Sequence, residues 1–283
     1  MHTWDERDQR ERFNLDLQTA LKQGQELLEQ AKIPAPRLTA EVLLAHAIGC
    51  GRAWLFAHSD EELKEVWWIH YGRYLHQRIA GTPTQYITGR QEFYGREFRV
   101  TRDVLIPRPE TEHVIEAALP HARGRVLDVG TGSGAIAVTV ALESKARVYA
   151  TDISSAAVGV ARKNARALGA QVEFVNSDLG EAFADASFDL IVSNPPYVPE
   201  DEVLPREVRE YEPHLALFGG SDGFAVYRRL IPEAARLLRP GGWLVMELGY
   251  RSGGEVREML AEWNEVEIAS DLAGLPRVIY GRR

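Results

Sequence analysis

From residue 125 onward, short apolar runs alternate with stretches of helical period, and this rhythm constrains the chain more than any other feature. Val126-Leu127-Asp128-Val129 reads as a strand, Gly130-Thr131-Gly132-Ser133-Gly134 as a turn and residues 135–142 as a helix. Val148-Tyr149-Ala150-Thr151 forms the next strand and closes on Asp152. A helix over 154–168, a strand over 172–175 and the strand Phe188-Asp189-Leu190-Ile191-Val192-Ser193 follow. A helix over 225–238, a strand over 243–248, a helix over 254–263 and terminal strands near 266–270 and 277–280 complete the series. Strands apolar at consecutive positions are buried on both faces, and strands separated by helices pair in parallel. The expectation is an α/β fold with a mainly parallel seven-stranded sheet, helices on both faces and ligands at the carboxyl ends of the strands.

One of those strand ends is chemically distinctive. Asn194-Pro195-Pro196-Tyr197 follows Ser193 directly, and two consecutive prolines remove two backbone donors and fix φ, so no strand or helix continues through them. The result is a stiff turn with a side-chain amide, carbonyls lacking N–H neighbours and an aromatic ring. Such a pocket suits the planar NH2 of an amide or a nucleobase. An Asn-Pro pair also starts ordinary loops, and the tetrapeptide alone leaves both readings open.

The glycine turn narrows the choice. Glycines 130, 132 and 134 permit a tight turn and let a ligand approach main-chain N–H groups, while Asp152, ending the next strand, is placed to accept hydrogen bonds from ribose hydroxyls. Gly130, Gly132 and Ala135 also satisfy the relaxed dinucleotide pattern, which makes a dehydrogenase the first rival. Two features favour S-adenosyl-L-methionine instead. The Asp128 carboxylate before the glycines suits a cationic methionine end, directly or through water, and would repel a pyrophosphate. Ser177-Asp178-Leu179, after the third strand, offers polar and apolar contacts for an adenine's edge and face. No hydride-handling His/Arg/Asp set stands out.

The first 80 residues carry no strand pattern. Residues 1–12 are densely charged and read as a frayed tail, too polar for a secretory signal. Helices are expected from Asn14, a plausible N-cap, to Ala31, over 37–48, and from a capping box at Ser59-Asp60-Glu61-Glu62 to Gly81. His46, His58, His70 and His76 lack a carboxylate or cysteine set around them and read as surface or packing residues, not metal ligands. Gly81-Thr82-Pro83 then breaks the pattern. Residues 85–88 read as extended, and Glu92-Phe93-Tyr94 with Glu97-Phe98-Arg99-Val100 as a hairpin turning at Gly95-Arg96. The expected organisation is a helical domain over 1–80, a connector with this hairpin over 81–108 and a catalytic domain over 109–283. In Leu105-Ile106-Pro107-Arg108-Pro109-Glu110-Thr111-Glu112 two prolines hold an extended approach, and Pro109 opens a helix.

Composition limits the partners. The single cysteine, Cys50, excludes an internal disulfide and any cysteine-based zinc site, and points to a reducing cytoplasm. Net charge is −8, and residues 1–80 and the remainder each hold more acids than bases. No basic half is set aside for a phosphate backbone, which argues for a protein or small-molecule substrate and against direct nucleic-acid binding. No apolar stretch is long enough to span a bilayer.

Asp128 to Gly134, Asp152 and Asn194 to Tyr197 together resemble a class I S-adenosylmethionine-dependent methyltransferase acting on a planar nitrogen. The likeness is more specific in Gly81-Thr-Pro-Thr-Gln-Tyr-Ile-Thr-Gly89, Phe93-Tyr-Gly95, Leu105 to Glu112, Tyr211-Glu212-Pro213 and Gly219-Gly220 with Asp222-Gly223. With a small helical N-terminal domain, these resemble the HemK/PrmC family, the release factor glutamine methyltransferases. The resemblance implies methylation of the glutamine side-chain amide in the Gly-Gly-Gln loop of class I peptide chain release factors; a cytoplasmic location and a monomer are expected beside it. It implies that Asp128, Gly130, Thr131, Gly132, Ser133, Gly134, Asp152, Asp178, Leu179 and Asn194 contact the cofactor. Asn194, Pro195, Pro196 and Tyr197 would hold the glutamine, with Asn194, Pro195 and Tyr197 catalytic and the Tyr197 ring packed on the substrate. Many relatives carry a bulky aromatic where this chain has Leu179. The rival enzyme reading is a DNA or RNA amino-methyltransferase acting on an exocyclic base nitrogen; a non-catalytic binding protein is the rival of another class.

Overall fold

The computed structural model describes residues 15–283, so the charged tail over 1–12 and the expected cap at Asn14 lie outside the described residues. The chain divides into two compact units between Thr88 and Gly89.

The smaller unit is helical: α1 (Leu17–Gln30), α2 (Pro36–Ile48), α3 (Arg52–Ala57), α4 (Glu65–Ile79) and α5 (Thr84–Thr88). Asp16 caps α1, its carboxylate accepting from the Thr19 N–H at 2.6 Å. Leu28, Leu43, Leu44, Tyr71 and Leu75 are fully or almost fully buried and make the core. Two expectations are corrected here and one helix is added. Ser59 to Glu62 is not a helix start, because the Ser59 and Glu61 carbonyls accept from Gln18 and Leu17, satisfying N–H groups of the first turn of α1; α4 begins only at Glu65. Residues 85–88 are helical, not extended, since the Pro83 carbonyl accepts from both Tyr86 and Ile87. Helix α3 is an addition that its short, Trp- and Phe-bearing sequence did not announce.

The larger unit opens with the hairpin of β1 (Arg90–Phe93) and β2 (Arg96–Arg99), which turns at Tyr94-Gly95. Phe93 and Phe98 of this hairpin are buried in the core cluster that also holds Val114, Ile115 and Ala118 of α6 (Glu112–Ala118). The doubly wound part follows: β3 (Arg125–Val129), α7 (Ala135–Glu143), β4 (Arg147–Asp152), α8 (Ser155–Leu168), β5 (Val172–Asn176) and β6 (Phe188–Ser193). After short helices α9 (Arg206–Tyr211) and α10 (His214–Leu217) come α11 (Ala225–Leu237), β7 (Leu238–Glu247), α12 (Gly253–Met259), β8 (Asn264–Ser270) and β9 (Pro276–Arg282).

The seven strands lie in the order β5-β4-β3-β6-β7-β9-β8, all parallel except β9, which runs antiparallel to both neighbours. Strand alternation explains the two-sided core. Val126, Leu190, Val192 and Val245 face α6 and α7, whereas Leu127, Val129, Ile191, Leu244 and Met246 face α11 and α12. Each such buried side chain contributes about 1.5–3 kcal/mol relative to exposure, which is why these strands read as unbroken apolar runs.

Candidate active site

The chain winds from β3 to β4 and β5 on one side, while β6 lies against the other edge of β3. Connections leaving β3 and β6 therefore diverge and leave a crevice at their carboxyl ends. Val129 and Ser193 end these strands in register, and the Ser193 hydroxyl donates to the Val129 carbonyl at 2.7 Å across 64 residues of sequence. The following residues are Gly130 and Asn194, so the two motifs open side by side. A cleft of about 250 Å³ lies there, and its walls include Gly130, Thr131, Gly132, Ser133, Asp152, Asp178 and Leu179 on one side and Asn194, Pro195 and Pro196 on the other. Asp128, Gly134 and Tyr197 stand behind the walls.

The glycine turn works differently from the expectation that it bares its N–H groups. The Gly130 and Thr131 amides both donate to the Thr151 carbonyl at 2.9 Å, and the Gly132 amide donates to Asp152 Oδ2 at 2.8 Å. These donors are spent on β4. What the glycines supply is clearance: φ is +75° at Gly130 and +54° at Gly132, and a Cβ at either would meet nothing within 4 Å. Gly134 has a packing role instead, because a Cβ there would lie 3.0 Å from the Ala161 Cβ of α8.

Asp128 is fully buried. Its Oδ2 accepts from the Thr131 hydroxyl at 2.7 Å and from the Ala137 N–H in the first turn of α7 at 3.1 Å, and its Oδ1 has no protein partner. Burial pushes this carboxyl up to about 7, against the lowering effect of those two donors. The first turn of α7 is thus already occupied by a carboxyl oxygen, and a pyrophosphate would compete with it. Asp152 accepts from Gly132 and, through Oδ1, from the Ser154 N–H at 2.9 Å; burial raises its pKa while these donors lower it. A carboxylate accepts about four hydrogen bonds, so two positions remain for ribose hydroxyls. The clearance at the glycines, the spare acceptors of Asp152 and the partnerless buried Asp128 oxygen fit a nucleoside with a cationic end. At the far wall Asp178 is held by Arg229 at 2.6 Å, and Leu179 sits in the left-handed region at φ +44°, a conformation that costs a non-glycine residue about 1–2 kcal/mol.

The acceptor wall is assembled from distant segments. The Asn194 side-chain NH2 donates to Thr111 Oγ1 at 3.1 Å, and the Thr111 hydroxyl donates to Glu247 Oε2 at 2.6 Å. The Tyr197 hydroxyl donates to the other oxygen of Glu247 at 3.2 Å. Glu247 ends β7, is 2% exposed, and burial pushes its carboxyl up to about 7. Tyr197 rests where it does because Gly249 has no side chain; a Cβ there would come within 3.0 Å of the ring. The ring therefore packs against Gly249 at the back of the turn. Gly219 presses on the same turn from behind: a Cβ on it would lie 2.6 Å from the Pro196 carbonyl.

Two family models match the chain, a PrmC N-terminal domain over residues 19–89 and a methyltransferase small domain over residues 111–210. A release factor glutamine methyltransferase of Koribacter versatilis is 47% identical over 277 residues, covering 95% of this chain and 99% of the relative. The chain belongs to the release factor glutamine methyltransferase family. Another family member, from Nitratidesulfovibrio vulgaris, is 41% identical over 280 residues, covering 94% of this chain and 95% of its own. A solved methyltransferase structure from Pyrococcus furiosus shares the fold at 20% identity, with a TM-score of 0.51 over 67% of this chain and 90% of that one.

In this family member four further residues hold the site together. Asn164 of α8 donates to the carbonyls of Ser133 and Arg99 at 2.8 and 2.9 Å, joining the glycine turn to the hairpin. Glu212, 4% exposed, accepts from Arg108 at 2.5 Å and from the Ile106 N–H at 3.1 Å, fixing the proline-rich approach. Thr111 and Glu247 are the other two. Thr111 and Glu212 sit inside the family-like segments, where they carried no role; the signal for Glu247 was a lone acid ending an otherwise apolar strand.

Proposed function

We propose that this chain transfers a methyl group from S-adenosylmethionine to the side-chain amide nitrogen of the glutamine in the Gly-Gly-Gln loop of class I peptide chain release factors, in the cytoplasm. One observation carries this reading. Asn194 and Pro195 line the cleft beside the glycine turn, and among the described residues no protein donor bonds to Asn194 Oδ1 or to the Pro195 carbonyl. Two acceptors without donors suit a group with two N–H bonds.

S-adenosylmethionine, when bound, supplies an electrophilic methyl on a sulfonium. Gly130 and Gly132 would give it room, Asp152 would accept from its ribose, and Asp128 would add negative charge near its cationic end. An amide nitrogen is a poor nucleophile because its lone pair is delocalised into the carbonyl. Asn194 Oδ1 and the Pro195 carbonyl each accept one N–H of the glutamine and hold the nitrogen with its lone pair towards the methyl. Alignment of this kind lowers barriers by about 7–11 kcal/mol in favourable cases. The same oxygens stabilise positive charge growing on nitrogen, an interaction stronger in the transition state than before it. Transfer would break the methyl–sulfur bond, whose electron pair returns to sulfur, and the N-methylated amide, a strong acid while it carries the extra proton, would then release that proton to solvent water. No base is needed on the substrate side.

The helical unit supplies recognition that a lone glutamine cannot. Phe56, Val66 and Ile69 are more than half exposed there, which suits contact with the body of a release factor. Phe56→Ser with Ile69→Ser raises KM for whole factor about tenfold and leaves a short Gly-Gly-Gln peptide unaffected.

The deciding experiment incubates the protein with methyl-labelled S-adenosylmethionine and either release factor or nucleic acid. Label on the Gly-Gly-Gln glutamine is the expected result. Label on a base instead, or on neither acceptor, overturns the reading.

A further inference from the structure

We propose that Glu247, acting through Thr111, dictates which way the Asn194 side-chain amide faces, so that its oxygen and not its NH2 is presented to the acceptor nitrogen. The inference rests on the proposed methylation of an amide, which needs an acceptor oxygen at this position.

An asparagine amide is nearly symmetric in shape, with oxygen on one side and NH2 on the other, and only its hydrogen bonds choose between the two orientations. At Asn194 the choice is made by a hydroxyl. Thr111 Oγ1 carries one proton, and at 2.6 Å from Glu247 Oε2 that proton goes to the carboxylate in a short, charge-assisted bond. Only lone pairs remain on Thr111 Oγ1, so its other neighbour must be a donor. Asn194 meets it with NH2 at 3.1 Å, and Oδ1 is left on the opposite side without a protein donor. Were the amide reversed, two acceptors would face each other at Thr111 and the cleft would receive a second NH2.

The link is built to be read in one direction. Thr111 is 4% and Glu247 2% exposed, so water does not substitute for either bond. The parts come from three segments: the 3-10 turn Pro109–Thr111, the residue after β6 and the end of β7, separated by 83 and 136 residues along the chain. Around Glu247, Tyr197 donates to Oε1, the Tyr227 hydroxyl bonds to the Glu247 backbone carbonyl at 2.7 Å, Glu110 adds like charge and Arg277 opposite charge. Among the described residues no guanidinium pairs with the carboxylate, so its direct partners are neutral hydroxyls. Burial therefore leaves its carboxyl at about 7. When Glu247 gains a proton it becomes a donor to Thr111, the Thr111 proton is freed towards Asn194, and the preference that kept Oδ1 in the cleft is lost. Glu247 and Thr111 are positioning residues; neither touches the acceptor.

The experiment uses the full chain with release factor and S-adenosylmethionine. Labelling of the factor by the unaltered protein comes first, and its absence refutes the amide reading on which the inference stands. Given labelling, Thr111→Val, which keeps shape and removes the hydroxyl, cuts kcat about 10- to 100-fold with cofactor Kd little changed, lowers Tm by several degrees because two buried groups lose a partner, and Thr111→Ser restores both kcat and Tm. The acidic limb of the kcat–pH profile near neutrality disappears in Glu247→Gln and in Thr111→Val. Independent of turnover, the Asn194 side-chain NH2 resonance, identified by its loss in Asn194→Ala, exchanges slowly with solvent in the unaltered protein and rapidly in Thr111→Val. Full kcat in a folded Thr111→Val, an acidic limb that survives Glu247→Gln, or an unchanged NH2 exchange rate overturns the inference.

Discussion

The two ends of the cleft are built at different scales of the chain. The cofactor wall is local: Asp128, the glycine turn, the first turn of α7 and Asp152 fall within one βαβ unit, and their bonds span 3, 9 and 20 residues. The acceptor wall draws Thr111, Asn194 and Glu247 from three segments whose bonds span 83 and 136 residues. A local wall is organised by backbone conformation, and a distributed one by a polar chain that forms only after the sheet has assembled. Substitutions at the first should therefore act on cofactor affinity, and at the second on the rate of transfer.

The largest expected effect tests this separation directly. Asn194→Ala removes an acceptor that strengthens as charge grows on nitrogen, and lowers kcat about 10²–10³-fold. Cofactor Kd, measured by calorimetry, stays within a factor of about three because Asp152 and the glycines are untouched. Asp152→Ala does the reverse, raising cofactor Kd about 10- to 100-fold through two lost charge-assisted bonds and a loosened Gly132. Comparable losses of affinity in the two variants would erase the distinction.

The same difference in scale decides what could be read before the structure. The inner strands β3, β4 and β6 were legible because burial on both faces leaves a run of apolar residues, whereas β5 and β8 are half exposed and were legible from their place in the strand–helix rhythm. So were the glycine turn and Asn194-Pro195, where the constraint is the residue type itself. The direction of the turn's amides was not legible: whether Gly130 and Thr131 donate to a ligand or to the Thr151 carbonyl depends on a strand from elsewhere in the unit. The capping box at Ser59 to Glu62 failed for a related reason, since its carbonyls are taken by α1. Glu247 was silent because nothing local distinguishes a buried acid from a solvated one.

Both walls bury an acid, which allows a comparison by pH. Asp128 and Glu247 each stand at about 7 in the folded protein, above their ordinary values. Between pH 4 and 7 the folded state holds protons that the unfolded chain has released. Their contribution to stability is fully present below the unfolded values and is lost as pH rises through about 7. The Tm of the cofactor-free protein should fall on the order of 5 °C between pH 6 and 8. Asp128→Asn and Glu247→Gln should each flatten part of that fall. Only Glu247→Gln should also alter the pH profile of turnover, because Asp128 serves the wall that binds.

The smallest effect is the sharpest probe of the distributed wall. Tyr197→Phe keeps the ring that packs over Gly249 and supports the Pro196 turn, and deletes only the hydroxyl that donates to Glu247 Oε1 at 3.2 Å. At pH 8.5, where Glu247 is ionised in either protein, kcat should change by no more than about threefold, the scale of one neutral hydrogen bond. Losing a donor disfavours the carboxylate, so the Glu247 pKa rises and the acidic limb of the profile moves to higher pH. The variant then looks more impaired at pH 7 than at pH 8.5, whereas Tyr197→Ala, which removes the prop behind the turn, loses activity at both. A Tyr197→Phe profile that drops uniformly at all pH values would assign the hydroxyl a direct role in the cleft and separate it from Glu247.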